Sequence, residues 1–427
     1  MTHLQDPTSK GVWAARMAGI LLLVYTLVMT FGVPLGPGIE DVQVAALERD
    51  EQQAQFQLVV HGHGTHFDDA TTRVFLKRDN HLISATDIRC AGADKLACLV
   101  TLPKEVPAAS FDVYVNGKVD GTISYANGFF ATGLDVVDGA PLSRDEGALN
   151  NLHEGDLGFH FPFQPNIMES IRNLMLHVPM WFTMFLLMGI SFAQSIRTLR
   201  LGGDADRDLK ALASVKVGLW FGVLGLLTGS LWARFTWGAW WVDDPQLNGA
   251  FVTVMVYAGY LVLRGSVQDA KLRSRLAAVY NLFGFCLLVV LLMVLPRFTE
   301  SLHPGKGGNP AFSSYDLDSA LRAAFYPAVI GWMILGTWMY ALQLRIERWR
   351  THRTDAQFSK ACMPLGMLLV TPTSTSGLEG VFMVDGKMPV VTGVAVIILV
   401  GLAIWWVRAL NTLNSMKETT SEETPTA

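Results

Sequence analysis

The sequence predicts an all-α polytopic membrane protein, a six-helix core plus a seventh helix, with an inserted extracytoplasmic β-sandwich-like domain. Only 16% of its 427 residues are charged and 51% are hydrophobic, whereas soluble domains carry about 25% charged residues. The hydrophobic residues fall into runs of about 20, the length that a helix needs to cross a bilayer. Between the first two runs, hydrophobic and polar residues alternate as they do in β-strands.

Seven segments are long and apolar enough to be membrane-spanning helices. They cover residues 14–33, 174–196, 209–232, 248–263, 276–295, 320–344 and 389–407. The first is predicted to be a retained anchor, because no small-x-small cleavage site follows its apolar core. The predicted domains are an N-terminal anchor (1–36), a β-rich insert (37–160), a transmembrane core (161–350), a polar linker (351–380) and a single helix with a polar tail (381–427).

Four segments with β-type alternation predict the insert. They read FQLVVHGHGTHF, TRVFLKR, ACLVTLP and FDVYVNGKVDGTISY. The last contains the Asn-Gly and Asp-Gly pairs that are typical of hairpin turns. Several short strands at this spacing indicate a small sandwich.

Two groups of residues in the insert have the spacing of a ligand set or a redox pair. An H-x-H-x-x-H pattern followed by two aspartates has residue types that bind zinc or copper, but a polar strand end and turn is the favoured interpretation. Its residues are His61, His63, His66, Asp68 and Asp69. Cys90 and Cys98 frame AGADKLA. Outside the cytoplasm they form either a disulfide or two unrelated thiols, and the spacing leaves both open.

Basic residues predict the orientation of the helices, because short loops rich in Lys and Arg face the cytoplasm. The loops on one side carry twelve, namely Arg197, Arg200, Arg207, Lys210, Arg264, Lys271, Arg273, Arg275, Arg345, Arg348, Arg350 and Arg353. The opposite loops carry three, Arg234, Arg297 and Lys306. The N-terminus is therefore predicted to be cytoplasmic and the insert to face outward. Six crossings return the chain to the cytoplasm, which leaves the direction of the seventh helix open.

Three groups of candidate ligand residues lie at the predicted outer face. The stretch WGAWWVDDPQL, residues 237–247, places three of the chain's 12 tryptophans before two aspartates. His177 lies at the outer end of the second helix, and His303 follows the fifth. Two neutral imidazoles can fill both axial positions of a haem iron, and indoles match its flat apolar macrocycle.

Each feature also has an ordinary structural explanation. Tryptophans at a membrane interface commonly form an aromatic belt, and a lone histidine is commonly a packing or capping residue. The convergence of the three groups at one face favours a shared site. Arg234, Arg297 and Lys306 are the cations near it that would neutralise haem propionates.

From about residue 165 to 344 the chain resembles the membrane protein C family of the cytochrome c maturation system, which is one of the tryptophan-rich haem-handling families. That family carries W-G-x-W-W-x-W-D-x-R-L-T in an outer loop. The residues that match in register are Trp237, Gly238, Trp240, Trp241, Asp244 and Leu247. The family's two histidine motifs, of the types H-V-P-A and T-L-H-x-G, are matched by HVP at 177–179 and SLHPG at 301–305, and TGSLWA at 228–233 resembles the run before the loop.

Three positions depart from the loop pattern of the family. Asp243 replaces a tryptophan, Gln246 replaces the arginine and Asn248 replaces the threonine. The loop therefore has one indole fewer and is more acidic, and Arg234 is the candidate substitute for the lost arginine. The β-rich insert is a further departure, since the first outer loop of the family is usually short.

The C-terminal stretch GKMPVVTGVAVIILVGLAIWWVRALNTL resembles the small single-helix protein D of the same system. The resemblance rests on a Gly-Lys pair before a Val-rich helix with a basic flank. It implies that two partner proteins are fused, with the linker TPTSTSGLEG at the joint.

The resemblance implies a haem transfer component, not an enzyme, in the bacterial inner membrane, with the haem site on the periplasmic side. His177 and His303 are the implied iron ligands, and Trp237, Trp240, Trp241, Asp244 and Arg234 the other haem-binding residues. The haem would be non-covalent haem b, since the chain has no C-x-x-C-H motif. The implied partners are a periplasmic haem chaperone, the subunits of an ABC-type haem exporter and release complex, and membrane lipid. The net charge of −4 gives no reason to expect nucleic acid.

Two alternatives remain open. A haem lyase of the other cytochrome c assembly system uses a related loop that ends in Glu, but the corresponding residues here read DDPQLNG. A membrane-anchored binding protein would act through its β domain and would contain no haem. An absorption spectrum separates the second alternative from the haem-binding ones.

Overall fold

The computed structural model describes residues 10–49, 53–78, 81–137, 140, 152–161, 163, 165, 167–200, 204–299, 301–303 and 319–352. The chain divides into two compact units. The β unit is Val33–Ile171, and the helical unit is formed by the chain before and after it. The predicted seventh helix at 389–407, and the predicted linker beyond residue 352, lie outside the described residues.

Among its described residues, the helical unit has six spans that are long and apolar enough to cross a membrane. The helices are α1 (Lys10–Gly32), α2 (Leu174–Arg200), α3 (Ala205–Thr236), α4 (Pro245–Ser266), α5 (Ala270–Val289), α6 (Leu295–Phe298) and α7 (Ser319–His352). A π-helical turn, Val290–Val294, joins α5 to α6, so that these two form one span. The prediction of a polytopic helical membrane protein is confirmed, and the first six predicted segments each fall on one of these spans.

Aspartate side chains mark where three helices begin. Asp204, Asp244 and Asp269 are the N-caps of α3, α4 and α5, and each carboxylate accepts a hydrogen bond from a backbone N–H of the first turn. Such caps satisfy N–H groups that have no partner within the helix. In α4, Pro245 follows the cap, a position where the missing N–H costs nothing.

A row of glycines on α3 lets α2 approach closely. A methyl group added at Gly218, Gly222, Gly225 or Gly229 would lie 2.6–2.9 Å from a side chain of α2. The α2 side chains are, in the same order, Met188, Met184, Trp181 and His177. We call these four glycines the glycine stripe. Small residues of this kind allow helices to pack tightly in a membrane, where van der Waals contact drives association.

Ion pairs join α3 to its neighbours at the predicted cytoplasmic end. Arg264 of α4 holds Asp208 through two hydrogen bonds of 2.6 and 2.7 Å, and both side chains are largely buried. Lys216 of α3 lies 2.7 Å from the buried carboxylate of Glu347 on α7. Paired charges of opposite sign are how such groups are accommodated beside lipid.

The described residues of the β unit form ten strands, which confirms the strand-rich region that the sequence predicts. The strands are β1 (Gly38–Arg49), β2 (Gln53–His63), β3 (Arg73–Arg78), β4 (His81–Ser84), β5 (Thr86–Gly92), β6 (Lys95–Pro103), β7 (Glu105–Val106), β8 (Ser110–Gly117), β9 (Gly121–Phe130) and β10 (Asp135–Val136). Two antiparallel four-stranded sheets have the orders β1-β2-β6-β5 and β4-β3-β8-β9. Side chains from both, among them Leu58, Val100, Leu76 and Phe111, form one buried core.

The two ends of the β unit lie side by side. Leu35 and Phe161 form a parallel β-bridge. The N–H of Gly36 donates to the carbonyl of Phe161 at 2.7 Å, and the N–H of Phe161 donates to the carbonyl of Pro34 at 3.0 Å. The segment that enters the unit is thus hydrogen-bonded to a segment near its exit.

The candidate ligand groups of the β unit serve local structure. His63 lies 3.1 Å from Glu40, and His66 lies 2.8 Å from the buried carboxylate of Asp120. Within the described part of the chain, no group of three or more His, Cys, Asp or Glu side chains is arranged to hold a metal ion. Cys90 and Cys98 are free thiols, and burial raises their pKa to about 11 and about 12.

We expect Phe111→Ala to destabilise the β unit by about 3–5 kcal/mol, because it removes a fully buried ring from the shared core. Phe130→Ala is the matched control, since this ring is 60% exposed on the next strand. The measurement is the rate at which maleimide labels buried Cys98 in urea, with the other three cysteines replaced by serine. Equal labelling rates in the two variants would contradict the core assignment.

Candidate functional site

His177 is held in the first turn of α2 by acceptors on α3. Its Nδ1 lies 3.0 Å from the carbonyl oxygen of Gly225 and 3.1 Å from the hydroxyl of Thr228. Because a carbonyl oxygen only accepts, Nδ1 must carry the proton. Nε2 is then the basic nitrogen of this histidine. Edge contacts with Trp181 and Trp232, at ring-centroid distances of 6.4 and 5.8 Å, further fix the imidazole plane.

The tryptophan loop, residues 237–243, is anchored to the end of α3. Ser230 donates to the carbonyl of Trp240 at 2.6 Å, and the Arg234 guanidinium donates to the carbonyl of Gly238. Gly238 has φ +79°, a left-handed conformation that only glycine adopts without strain. Trp240 and Trp241 are 41% and 42% exposed, so the anchored loop leaves two indoles on the surface.

Asp244 ends the tryptophan loop and begins α4. Its Oδ1 accepts from the backbone N–H groups of Gln246 at 2.9 Å and Leu247 at 3.1 Å. The side chain is only 1% exposed. This carboxylate is therefore fixed in position by the helix that it caps.

The same carboxylate also holds the segment that carries the second histidine. Asp244 Oδ2 accepts from the hydroxyl of Ser301 at 2.8 Å and from the N–H of Leu302 at 2.7 Å. Asp244 Oδ1 lies 3.0 Å from Nδ1 of His303. The edge of Trp237 contacts the His303 ring at a centroid distance of 5.1 Å. His303 thus has Nδ1 protonated and Nε2 basic, as His177 does.

Burial opposes ionisation of Asp244, but the hydrogen bonds from His303, Leu302 and Ser301 outweigh it and hold its pKa well below the ordinary carboxyl value. A carboxyl group whose pKa is lowered in the folded state stabilises that state above its unfolded pKa. This contribution is therefore present at neutral pH. It is lost as the pH falls through the lowered pKa.

The structure brings the predicted site residues together at one end of the helical unit. His177 contacts Thr228, Gly229 and Trp232 in the last turns of α3, just before the tryptophan loop begins. Trp237, Asp244 and His303 form one contact group, and Arg234 supports the loop beside it. Arg297 is exposed on α6, and Lys306 lies outside the described residues.

Two of the residues that depart from the family pattern contact each other. Asn248 Nδ2 donates to Asp243 Oδ1 at 2.8 Å, and Asn248 Oδ1 accepts from the indole N–H of Trp241 at 3.1 Å. The ring of Trp241 also contacts Phe251 edge-on. The substituted pair therefore supports an indole that the pattern retains.

Sequence reasoning missed the partners of the histidines. Gly225 and Thr228 on α3 fix the tautomer of His177, and Gly229 gives its ring room. The signal was present as small residues spaced three and four apart in an apolar helix. The role of Asp244 as the partner of His303 had no signal beyond its place in the loop motif.

Residues 158–362 of the chain match a family model described as heme exporter protein C. The chain is 33% identical to the heme exporter protein C of Bradyrhizobium diazoefficiens over 193 residues, 45% of this chain and 72% of that protein. For the proteins of the same name from Escherichia coli K12 and Paracoccus denitrificans, the identities are 26% over 179 residues (42% of this chain, 70% of the relative) and 25% over 194 residues (44% and 78%). The model match contains both histidines and the tryptophan loop.

We expect Gly229→Ala to destabilise the helical unit by about 1–3 kcal/mol, because the new methyl group would lie 2.6 Å from Cε1 of the hydrogen-bonded His177 ring. Gly265→Ala is the matched control, since nothing lies within 4 Å of its Cβ position on α4. That change should not destabilise the unit, because the new methyl group meets no other atom. Thermal unfolding in detergent, followed by tryptophan fluorescence, measures both. A stabilising Gly229→Ala would contradict the close packing.

Proposed function

Because the chain belongs to the heme exporter protein C family, we propose that it holds haem between His177 and His303 at the periplasmic side and delivers it to a periplasmic haem chaperone. The family supports a role in haem handling for cytochrome c biogenesis, as a multi-pass membrane component of an exporter complex rather than as an enzyme.

One observation carries the proposal. His177 and His303 each have Nδ1 committed to an acceptor, so each retains a basic Nε2. No described residue is hydrogen-bonded to either Nε2. A neutral imidazole with its Nδ1–H fixed and its Nε2 lone pair available is the form of histidine that ligates iron.

The other residues fit the remaining surface of a haem. Haem supplies an iron with two axial positions within an apolar plate that carries two propionates. Trp240 and Trp241 offer exposed indole faces of matching character. Arg234, at the end of α3 beside the loop, is the cation that we assign to a propionate. The ligands are nitrogen atoms and the sequence has no C-x-x-C-H motif, so the proposed haem is haem b, bound without a covalent link.

The proposed role in delivery follows from where the groups lie. Ligation by two side chains is reversible, and the indoles are on the surface, where an acceptor protein reaches them. The protein would therefore control iron ligation and access, and leave covalent chemistry to the acceptor. The proposed partners of this protein are that acceptor, the other exporter subunits and the surrounding lipid of a bacterial inner membrane.

We expect the detergent-purified protein to show a low-spin bis-histidine haem spectrum, and acidified organic solvent to extract all of its haem. His177→Ala and His303→Ala should each lower haem retention or free one axial position, because each removes one nitrogen ligand. Added imidazole should restore the low-spin spectrum. Wild-type spectra in both variants, or haem that stays with the polypeptide, would contradict the assignment.

We expect the double variant Trp240→Ala/Trp241→Ala to keep the bis-histidine spectrum but to load the haem chaperone poorly, because stacking positions the plate without bonding the iron. The matched control is Trp13→Ala/Trp220→Ala, which removes two indoles on the apolar helices α1 and α3 that are exposed to a similar or greater extent, 63% and 42%. Chaperone loading is measured by transfer of haem absorbance. Normal loading by the loop variant would contradict a role in delivery and would favour an aromatic belt at the membrane interface.

A further inference from the structure

The two histidines have acceptors of different charge. His177 Nδ1–H donates to the neutral carbonyl of Gly225 and the neutral hydroxyl of Thr228. The Thr228 hydroxyl gives its own proton to the carbonyl of Leu224 at 2.8 Å, so it only accepts from His177. His303 Nδ1–H donates to the carboxylate of Asp244.

Asp244 differs from the other two helix-capping aspartates, because among the described residues the carboxylates of Asp204 and Asp269 accept only from residues within three positions along the chain. Asp269 accepts a single hydrogen bond, from the N–H of Leu272 at 2.6 Å. Asp244 caps α4 and in addition accepts from three donors of the segment 301–303. Capping explains the first set of contacts but not the second.

A carboxylate that accepts from Nδ1–H makes the opposite nitrogen of an imidazole a stronger electron donor than a neutral acceptor does. Resting on the proposed function, we infer that Asp244 is a positioning residue that makes His303 the stronger and retained iron ligand, and that His177 is the ligand displaced first. A stronger donor stabilises ferric over ferrous iron, so the asymmetry has a measurable consequence.

The first experiment measures the midpoint potential of haem in the full-length purified protein and in the variants Asp244→Asn, Asp269→Asn, Thr228→Val and Ser301→Ala. Asp244→Asn should raise the potential, because Asn keeps the cap and a hydrogen-bond acceptor but loses the charge. Asp269→Asn, the matched cap control, should leave it unchanged. Thr228→Val should change it less than Asp244→Asn, since the Gly225 carbonyl remains. An Asp244→Asn potential equal to that of Asp269→Asn would overturn the inference.

Ser301→Ala keeps the test decisive if Asp244→Asn does not fold. It removes one donor that competes for the Asp244 carboxylate, together with the acceptor of the His303 backbone N–H at 3.2 Å. The carboxylate stays in place, so more of its negative charge should act on the His303 ring. The potential should therefore fall, the opposite direction from Asp244→Asn. A rise would overturn the inference.

The second experiment uses carbon monoxide on the dithionite-reduced protein as the displacing ligand. Its carbon lone pair forms the new bond to iron as one histidine Nε2 leaves, with no change of oxidation state. The iron–carbon stretch in resonance Raman reports the donor strength of the histidine that stays. It should shift in Asp244→Asn and not in Thr228→Val. The reverse pattern would show that His303 leaves first.

The two proposals fail separately. Purified protein without haem, or with spectra that neither histidine variant alters, would refute the proposed function. Histidine-dependent spectra with an unchanged Asp244→Asn potential would refute only the asymmetry.

Discussion

The close approach of α2 and α3 is the constraint on which the site depends. The glycine stripe removes the side chains that would separate the two helices, and its last member, Gly229, lies under the ring of His177. The same approach exposes the Gly225 carbonyl to Nδ1. The close packing along three turns of α3 thereby sets both the position and the tautomer of His177 at the end of the stripe.

Asp244 positions the second histidine, His303, as the glycine stripe positions the first. Its carboxylate begins a helix, ends the tryptophan loop and fixes the segment of His303. A substitution of Asp244 would therefore affect the start of α4, the end of the tryptophan loop and the segment of His303 together. The first histidine is thus set by helix packing and the second by a single buried charge.

The sequence predicted the elements better than their contacts. Apolar runs of bilayer length located α1 to α5 and α7, and alternation located the principal strands. The loop motif identified Trp237 and Asp244 as candidate site residues, but their contacts with His303 join positions 66 and 59 residues apart in the chain. Tautomers, and the pairing of Asp243 with Asn248, depend on tertiary geometry that no local pattern encodes. Cys90 and Cys98 show the same limit. Their spacing allowed either a disulfide or two separate thiols, and in the fold they are separate thiols.

The hydrogen-bonded base of the β unit has a consequence for how such a chain is assembled. Because Leu35 and Phe161 are paired, the chain enters the β unit and leaves it, more than a hundred residues later, through two neighbouring segments. A short connection can be exchanged for a unit of this kind without pulling apart the helices on either side, since the ends are already brought together by the unit's own folding. A large segment whose ends are adjacent can be inserted between two existing helices of a membrane protein. The β unit has this property.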